Sequence, residues 1–211
     1  MDATKYNIMR TYSQIKTAVE SLGFKWFKSP LSINYVWERT NFVATNKMTD
    51  FLHVCWLDEN NKENILSIPG TTKPGLVGSL LSPVTVRGVT GTAVIRSPQQ
   101  VLGGWEFRDT DKEFSHYPYF RQVAPVDYWR DGDKDKEIDK VNPEEDKING
   151  THWHIMSKID TYGSGNVNNW SLGCSGAAEP EFEKILPITR LSCKKYGNKV
   201  TGTYIESQHI K

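Results

Sequence analysis

The sequence predicts a β-rich α+β domain, and three observations carry that expectation. Helical spacing of apolar residues occurs only towards the two ends, over 11–22 and again over 182–191. Between them lie short aromatic and β-branched runs that alternate as strands do, in a chain with 7 Trp, 9 Tyr and 8 Phe. No internal repeat and no Gly, Ser or Pro-rich linker divides the 211 residues, a length that supports one well-buried core. The expectation is a single domain over 1–211, in which an N-terminal helical segment, 1–23, leads into a β-rich unit, 24–211.

The first helix rests on Tyr12, Ile15, Val19 and Leu22, which share one face, and Gly23 ends it. Strands follow at Asn34–Trp37 and Phe51–Leu57, with Asp58–Lys62 as a hairpin turn and Ile65–Ile68 as the returning strand. Pro69-Gly-Thr-Thr-Lys-Pro-Gly75 reads as a rigid, turn-rich connection. Strands resume at Val84–Val86, Gly91–Ile95 and Val123–Trp129. Residues 130–149 interleave both charges with almost no apolar anchor, the pattern of an exposed loop. Gly150–Met156 is a strand and Tyr162–Trp170 a loop. Phe182, Ile185, Leu186 and Leu191 predict a helical region interrupted or restarted at Pro187, and Val200–Ile205 a closing strand.

Charge and composition exclude several classes. With 26 Lys+Arg against 25 Asp+Glu, the net charge of +1 supplies no long-range field for a nucleic-acid backbone or an anionic membrane. The apolar runs fall far short of the roughly 20 residues of a spanning helix, so membrane insertion is not expected. The N-terminus carries no basic region followed by an apolar stretch, which predicts synthesis in the cytoplasm without a secretory signal.

Three cysteines, Cys55, Cys174 and Cys193, cannot all pair within one chain and form no CxxC knuckle. Cys55 and Cys193 sit in apolar periodic stretches and read as core residues. Cys174 differs. It ends a Ser171-Leu-Gly-Cys174 turn, twenty positions after His154 on a predicted strand. A thiol becomes a strong nucleophile as thiolate, and a nearby imidazole generates one by taking the proton. Gly173 permits close backbone approach, and the amides of Gly173 and Cys174 are candidates to hold an oxyanion. His152, two residues before His154, shares its strand face. Together with Cys174 the two histidines suggest zinc, but no fourth ligand stands at a recognisable spacing, so no metal or other cofactor is expected. Asp131-Gly-Asp133-Lys-Asp135 lacks the Gly and Glu that an EF-hand loop requires further on.

The order and spacing of these residues resemble a family. His154, sixteen intervening residues and Ser171-Leu-Gly-Cys174 are similar to the His and Ser-x-Gly-Cys signature of the L,D-transpeptidase (YkuD) catalytic domain. The wider pattern resembles a phage and prophage branch of that family: Pro69-Gly-Thr-Thr-Lys-Pro-Gly75, Trp129-Arg130-Asp131, Gly150-Thr-His-Trp-His154 and Val167-Asn-Asn-Trp-Ser-Leu-Gly-Cys174, in that order. The resemblance implies a curved β-sheet or sandwich with a helical segment after the cysteine turn. It implies Cys174 as nucleophile and His154 as base, with His116 a match to an upstream active-site histidine; His152, Ser171 and Trp170, beside these residues in the sequence, are further candidates to line the site. The substrate it implies is the stem peptide of peptidoglycan, and the place of action the bacterial cell wall or a phage particle. Two departures are notable: Ser175-Gly176 follow the cysteine, where the phage branch commonly has Gln-Val, and His152 replaces a residue that is often Asn.

The leading expectation is therefore a cysteine-dependent acyl-transfer enzyme, a phage-type cell-wall peptidase or lysin. The alternative is a structural virion protein, a tail or ring subunit that keeps the fold with or without activity and has other virion proteins as partners. A plain wall-binding module is weaker, because binding needs no Cys and His at this spacing.

Overall fold

The structure is a computed structural model that describes residues 10–76, 80–83, 85–86, 89–110, 117–157, 167 and 171–211, without the side chains of 85, 86 and 89. It is a β-rich α+β molecule built on a strongly curved sheet of eight strands. In chain order the elements are α1 (Tyr12–Ser21), β1 (Ile33–Arg39), β2 (Asp50–Leu57), β3 (Glu63–Gly70), β4 (Thr85–Val86), β5 (Val89–Thr90), β6 (Thr92–Ile95), β7 (Gln99–Arg108), β8 (Tyr119–Gln122), β9 (Val126–Asp131), β10 (Glu144–Lys147), β11 (Trp153–Ser157), β12 (Ser175–Ala178), α2 (Glu179–Tyr196) and β13 (Lys199–Glu206).

The large sheet runs β12-β11-β8-β7-β13-β1-β2-β3. Its two ends meet where Thr71, just past β3, exchanges backbone hydrogen bonds with Gly176 of β12 at 2.7 and 2.9 Å, so the sheet is nearly closed. Its concave face holds the main core. Tyr35 and Trp37 of β1, Trp105 of β7, Phe120 of β8, Trp153 of β11 and Tyr204 of β13 pack there ring against ring. Gly202 makes room for this cluster, since a Cβ there would lie 2.5 Å from the rings of Trp105 and Trp153. A second, three-stranded sheet, β10-β9-β6, turns Ala93, Ile95, Val126 and Tyr128 to the same core.

The helices cover opposite faces. Thr11 caps α1 through a capping box with Gln14, and Tyr12, Ile15, Ala18 and Val19 pack on the outer face of the sheet against Val36, Cys55 and Ile205. That explains why β1 is buried along its whole length. Phe182, Ile185, Leu186 and Ile188 of α2 enter the concave side. No helix among the described residues is long and apolar enough to cross a membrane.

Two expectations need correction. Pro187 does not interrupt or restart the second helix: it lies inside one helix, Glu179–Tyr196. An interior proline costs about 3 kcal/mol, and burial of the four apolar side chains around it, at roughly 1.5–3 kcal/mol each, outweighs that. Nor is 130–149 simply an exposed loop. Arg130 and Asp131 are buried, Glu144–Lys147 forms β10, and Ile138, the apolar residue at its middle, is inserted against Val94 and Trp129. The Arg130 side chain ties the segment down through Glu144 at 2.6 Å and the Gly91 carbonyl at 3.2 Å. Val84 lies outside the described residues, whereas the neighbouring Thr85–Val86 does form a short strand.

Candidate functional site

β11 and β12 are parallel neighbours, with Trp153 beside Ser175 and His154 beside Gly176. Strand alternation then sorts their side chains. Trp153, Ile155, Ser175 and Ala177 face the aromatic core, where Tyr204 Oη accepts the Trp153 indole N–H at 2.8 Å and lies 2.9 Å from Ser175 Oγ. One inner hydroxyl thus joins both strands. Cys174, Gly176, His152, His154 and Met156 fall on the other face, joined there from β8 by Tyr119 and Arg121. The thiol and both imidazoles are half-buried.

By register His152, not His154, lies directly beside Cys174. The His152 amide donates to Cys174 Sγ at 3.3 Å, and the Gly150 carbonyl oxygen lies 3.8 Å from the sulfur. His154 stands two register positions further along, beside Gly176, where a Cβ would run into the Met156 side chain at 2.8 Å. Neither imidazole is hydrogen-bonded to the sulfur among the described residues. Their outer partners differ. His154 Nδ1 is 2.8 Å from the Ile155 carbonyl oxygen, so in the neutral ring Nδ1 carries the proton and Nε2 the lone pair. His152 Nδ1 accepts the Gln122 backbone N–H at 3.1 Å. The Tyr119 ring meets the His152 ring edge-on at 5.8 Å.

The cysteine turn is wired to its surroundings. Ser171 is fully buried; its hydroxyl donates to the Cys174 carbonyl at 2.8 Å and accepts the Gly173 N–H at 3.2 Å. The Gly173 amide, a candidate oxyanion donor, is thereby taken up inside the turn, a correction with a plain cause: the Ser171 hydroxyl is the nearest acceptor. The Cys174 amide has no such partner among the described residues. Gly173 has φ +135°, and a Cβ there would sit 2.5 Å from the Ala93 carbonyl oxygen. The Gly75 N–H donates to the Ser171 carbonyl at 3.0 Å. The four segments that carry the family resemblance therefore converge: 69–75 reaches Ser171 and Gly176, 129–131 pairs with β6, β6 touches Gly173, and 150–154 runs beside the cysteine.

Sequence reasoning missed the supports. Gln122, 3% exposed, accepts the N–H groups of Gly150 and Thr151 at 2.9 Å each and donates to the carbonyls of Ala124 and Lys147, which fixes how the chain runs into His152. Tyr128 Oη adds a 2.6 Å bond to Thr151 Oγ1. Beneath the 69–75 segment, buried Asp50 holds Lys73 Nζ at 3.0 Å and the Thr72 amide at 2.9 Å, while Arg39 donates to Thr72 Oγ1 and to the Thr72 and Ile95 carbonyls. A lone Gln or Asp between strands carries no motif, so nothing local marks these residues. His116 and Trp170, expected to line the site, lie outside the described residues.

Burial dominates the site's electrostatics. It pushes the Cys174 thiol up to about 11, against the opposing pull of the His152 amide. It also depresses both imidazoles. His152 falls to about 4 through burial first, then through repulsion from His154 were that ring protonated and from Arg121, and His154 falls with the Ile155 carbonyl working the other way. At neutral pH the site holds a protonated thiol and two neutral imidazoles. Chemically, such a set suits base-assisted attack, in which the thiol proton moves as sulfur adds to a carbonyl, and not a standing thiolate–imidazolium pair. Among the described residues no group of three or more His, Cys, Asp or Glu is placed to hold a metal ion. No family model, no curated protein and no solved structure matches the chain.

Proposed function

We propose that the protein is a cysteine-dependent acyl-transfer enzyme of the L,D-transpeptidase type, acting on peptidoglycan stem peptides as a phage-type cell-wall peptidase. The observation that carries this reading is the shared sheet face of β11 and β12, which presents a half-buried thiol next to two histidines, one with its Nδ1–H directed to a carbonyl and its Nε2 lone pair available. The nearly closed sheet with a helix after the cysteine turn agrees with the curved sheet that the resemblance implies.

In this mechanism His154 Nε2 takes the Cys174 proton while Sγ adds to the carbonyl carbon of a stem-peptide bond. The C–N bond then breaks, His154 returns the proton to the leaving nitrogen, and the acyl group stays on sulfur as a thioester. Water or a second amine, deprotonated by His154, releases it as acid or as a new amide. Digestion of purified peptidoglycan followed by mass analysis of the fragments tests the reading: new peptide termini or new crosslinks are the expected products, and an unchanged fragment pattern contradicts it.

A structural virion component is the second reading, favoured by one observation. The thiol is raised to about 11 and bonded to no imidazole, as in a protein that keeps the architecture and not the chemistry. It predicts an unchanged fragment pattern together with assembly into particles.

A further inference from the structure

Resting on the acyl-transfer reading above, we propose that the two imidazoles are locked in opposite neutral tautomers: His154 Nε2 alone takes the Cys174 proton, while His152 Nε2–H donates a hydrogen bond to an oxygen of the substrate on the amine side of the scissile bond. The tautomers follow from the ring partners. A backbone N–H only donates, so the 3.1 Å contact from Gln122 makes His152 Nδ1 the unprotonated nitrogen and leaves the proton on Nε2. A carbonyl only accepts, so the 2.8 Å contact to Ile155 places the His154 proton on Nδ1. His152 then has no free lone pair for the thiol proton, although it is the nearer residue by register. It offers an N–H instead, and no partner for Nε2 stands among the described residues.

The side of action follows from the sheet. β12 is flanked by β11 on one edge and by Thr71 on the other. Both histidines therefore stand on the β11 side of the sulfur, and the base that returns a proton to the leaving nitrogen must stand on the amine side. An N–H next to that base meets the amine-side residue of the peptide, whose carbonyl or carboxylate oxygen is the acceptor. Burial above all, with the Arg121 charge, keeps His152 neutral over the working pH range, which preserves the assignment.

Two isosteric replacements separate the roles of the ring nitrogens. His152→Asn places an oxygen near Nδ1 and retains the acceptor for Gln122; His152→Gln places an amide N–H near Nε2 and retains the donor. The experiment measures kcat/KM of the full chain on purified stem peptides, thermal melts, and long-range ¹⁵N–¹H imidazole spectra. We expect His152→Asn to melt with the wild type but lose about tenfold in kcat/KM, the size of one lost hydrogen bond, mostly through KM. We expect His152→Gln, which retains the donor, to melt earlier yet recover most of the kcat/KM that His152→Asn loses, and neither variant to move the acid limb of the pH profile. The spectra should show Nε2–H at His152 and Nδ1–H at His154. A His152→Asn enzyme with full kcat/KM, or an Nδ1–H signal at His152, overturns the proposal. If the wild type cuts no peptide while the two tautomers are seen as assigned, the acyl-transfer reading fails and the donor role with it, and the tautomer assignment stands.

Discussion

In the proposed acyl transfer Cys174 and His154 would divide one task between two atoms, and substitution at each has a different expected signature. Cys174→Ser exchanges the thiol for a hydroxyl of far higher pKa, so wall-peptide turnover should drop to background while the melting temperature stays near that of the wild type. His154→Ala removes the proton acceptor and should slow turnover by about 10²- to 10⁴-fold. Because His154 is depressed from the ordinary imidazole value by burial, the acid limb of kcat/KM should fall below pH 6.5, the unperturbed imidazole range. The raised thiol adds a test without substrate. Iodoacetamide labelling of Cys174 should go on accelerating with pH towards about 11, and a plateau reached near neutrality would show a preformed ion pair instead. Cys55 is fully buried against α1, so Cys55→Ser should leave turnover intact and lower the melting temperature.

At the scale of elements, legibility in the sequence follows periodicity. α1, β1, β2, β3, β6, β11 and β13 were readable because apolar and polar residues alternate or recur within each. The ten-residue strand β7 was not: Gly103-Gly104 breaks its pattern, and the register shifts opposite Val200 and Gly202. β8 is only four residues long, too short for a period to show. In the site, Cys174, Ser171 and the two histidines stood out through residue type and spacing, whereas Gln122 and Asp50 act through folding partners remote in sequence. The cysteine turn and α2 each give a measurable consequence. Gly173→Ala puts a Cβ on a positive-φ residue against the Ala93 carbonyl, and should cost about 1–3 kcal/mol in denaturant melts as well as disturb Cys174 labelling. Pro187 is exposed, so Pro187→Ala should stabilise by about 1–3 kcal/mol, because it restores an interior helix N–H without touching the core.

Across the whole molecule, buried charge secures the place where the sheet closes. Lys73, 2% exposed, balances Asp50 directly below the segment that bonds Gly176 and Ser171. Lys73→Met should cost about 3–5 kcal/mol by leaving a buried carboxylate unpaired. The titrations add an acid limit to stability. Burial would raise Glu38, but hydrogen bonds from His53, Arg10 and Ser207 outweigh it and hold the carboxyl down to about 2. Its contribution is present above the unfolded carboxyl range of about 4.5 and is lost as pH falls through about 2. His152, lowered to about 4, likewise contributes above pH 6.5 and loses that contribution as pH falls through about 4. Asp131, raised by burial to about 6, works the other way, but His53 and His154 are lowered alongside His152, so the melting temperature should decline steadily below pH 6.5.

Acyl transfer through sulfur requires that Cys174 carry an acyl group during turnover. Incubation with purified stem peptides, an acid quench and mass analysis of the proteolytic fragment containing Cys174 measure it directly. The expected result is a mass increase equal to the acyl part of the peptide, removed by neutral hydroxylamine, absent from Cys174→Ser and greatly reduced in His154→Ala. Peptide cleavage without an adduct, at full rate in Cys174→Ser, would contradict it.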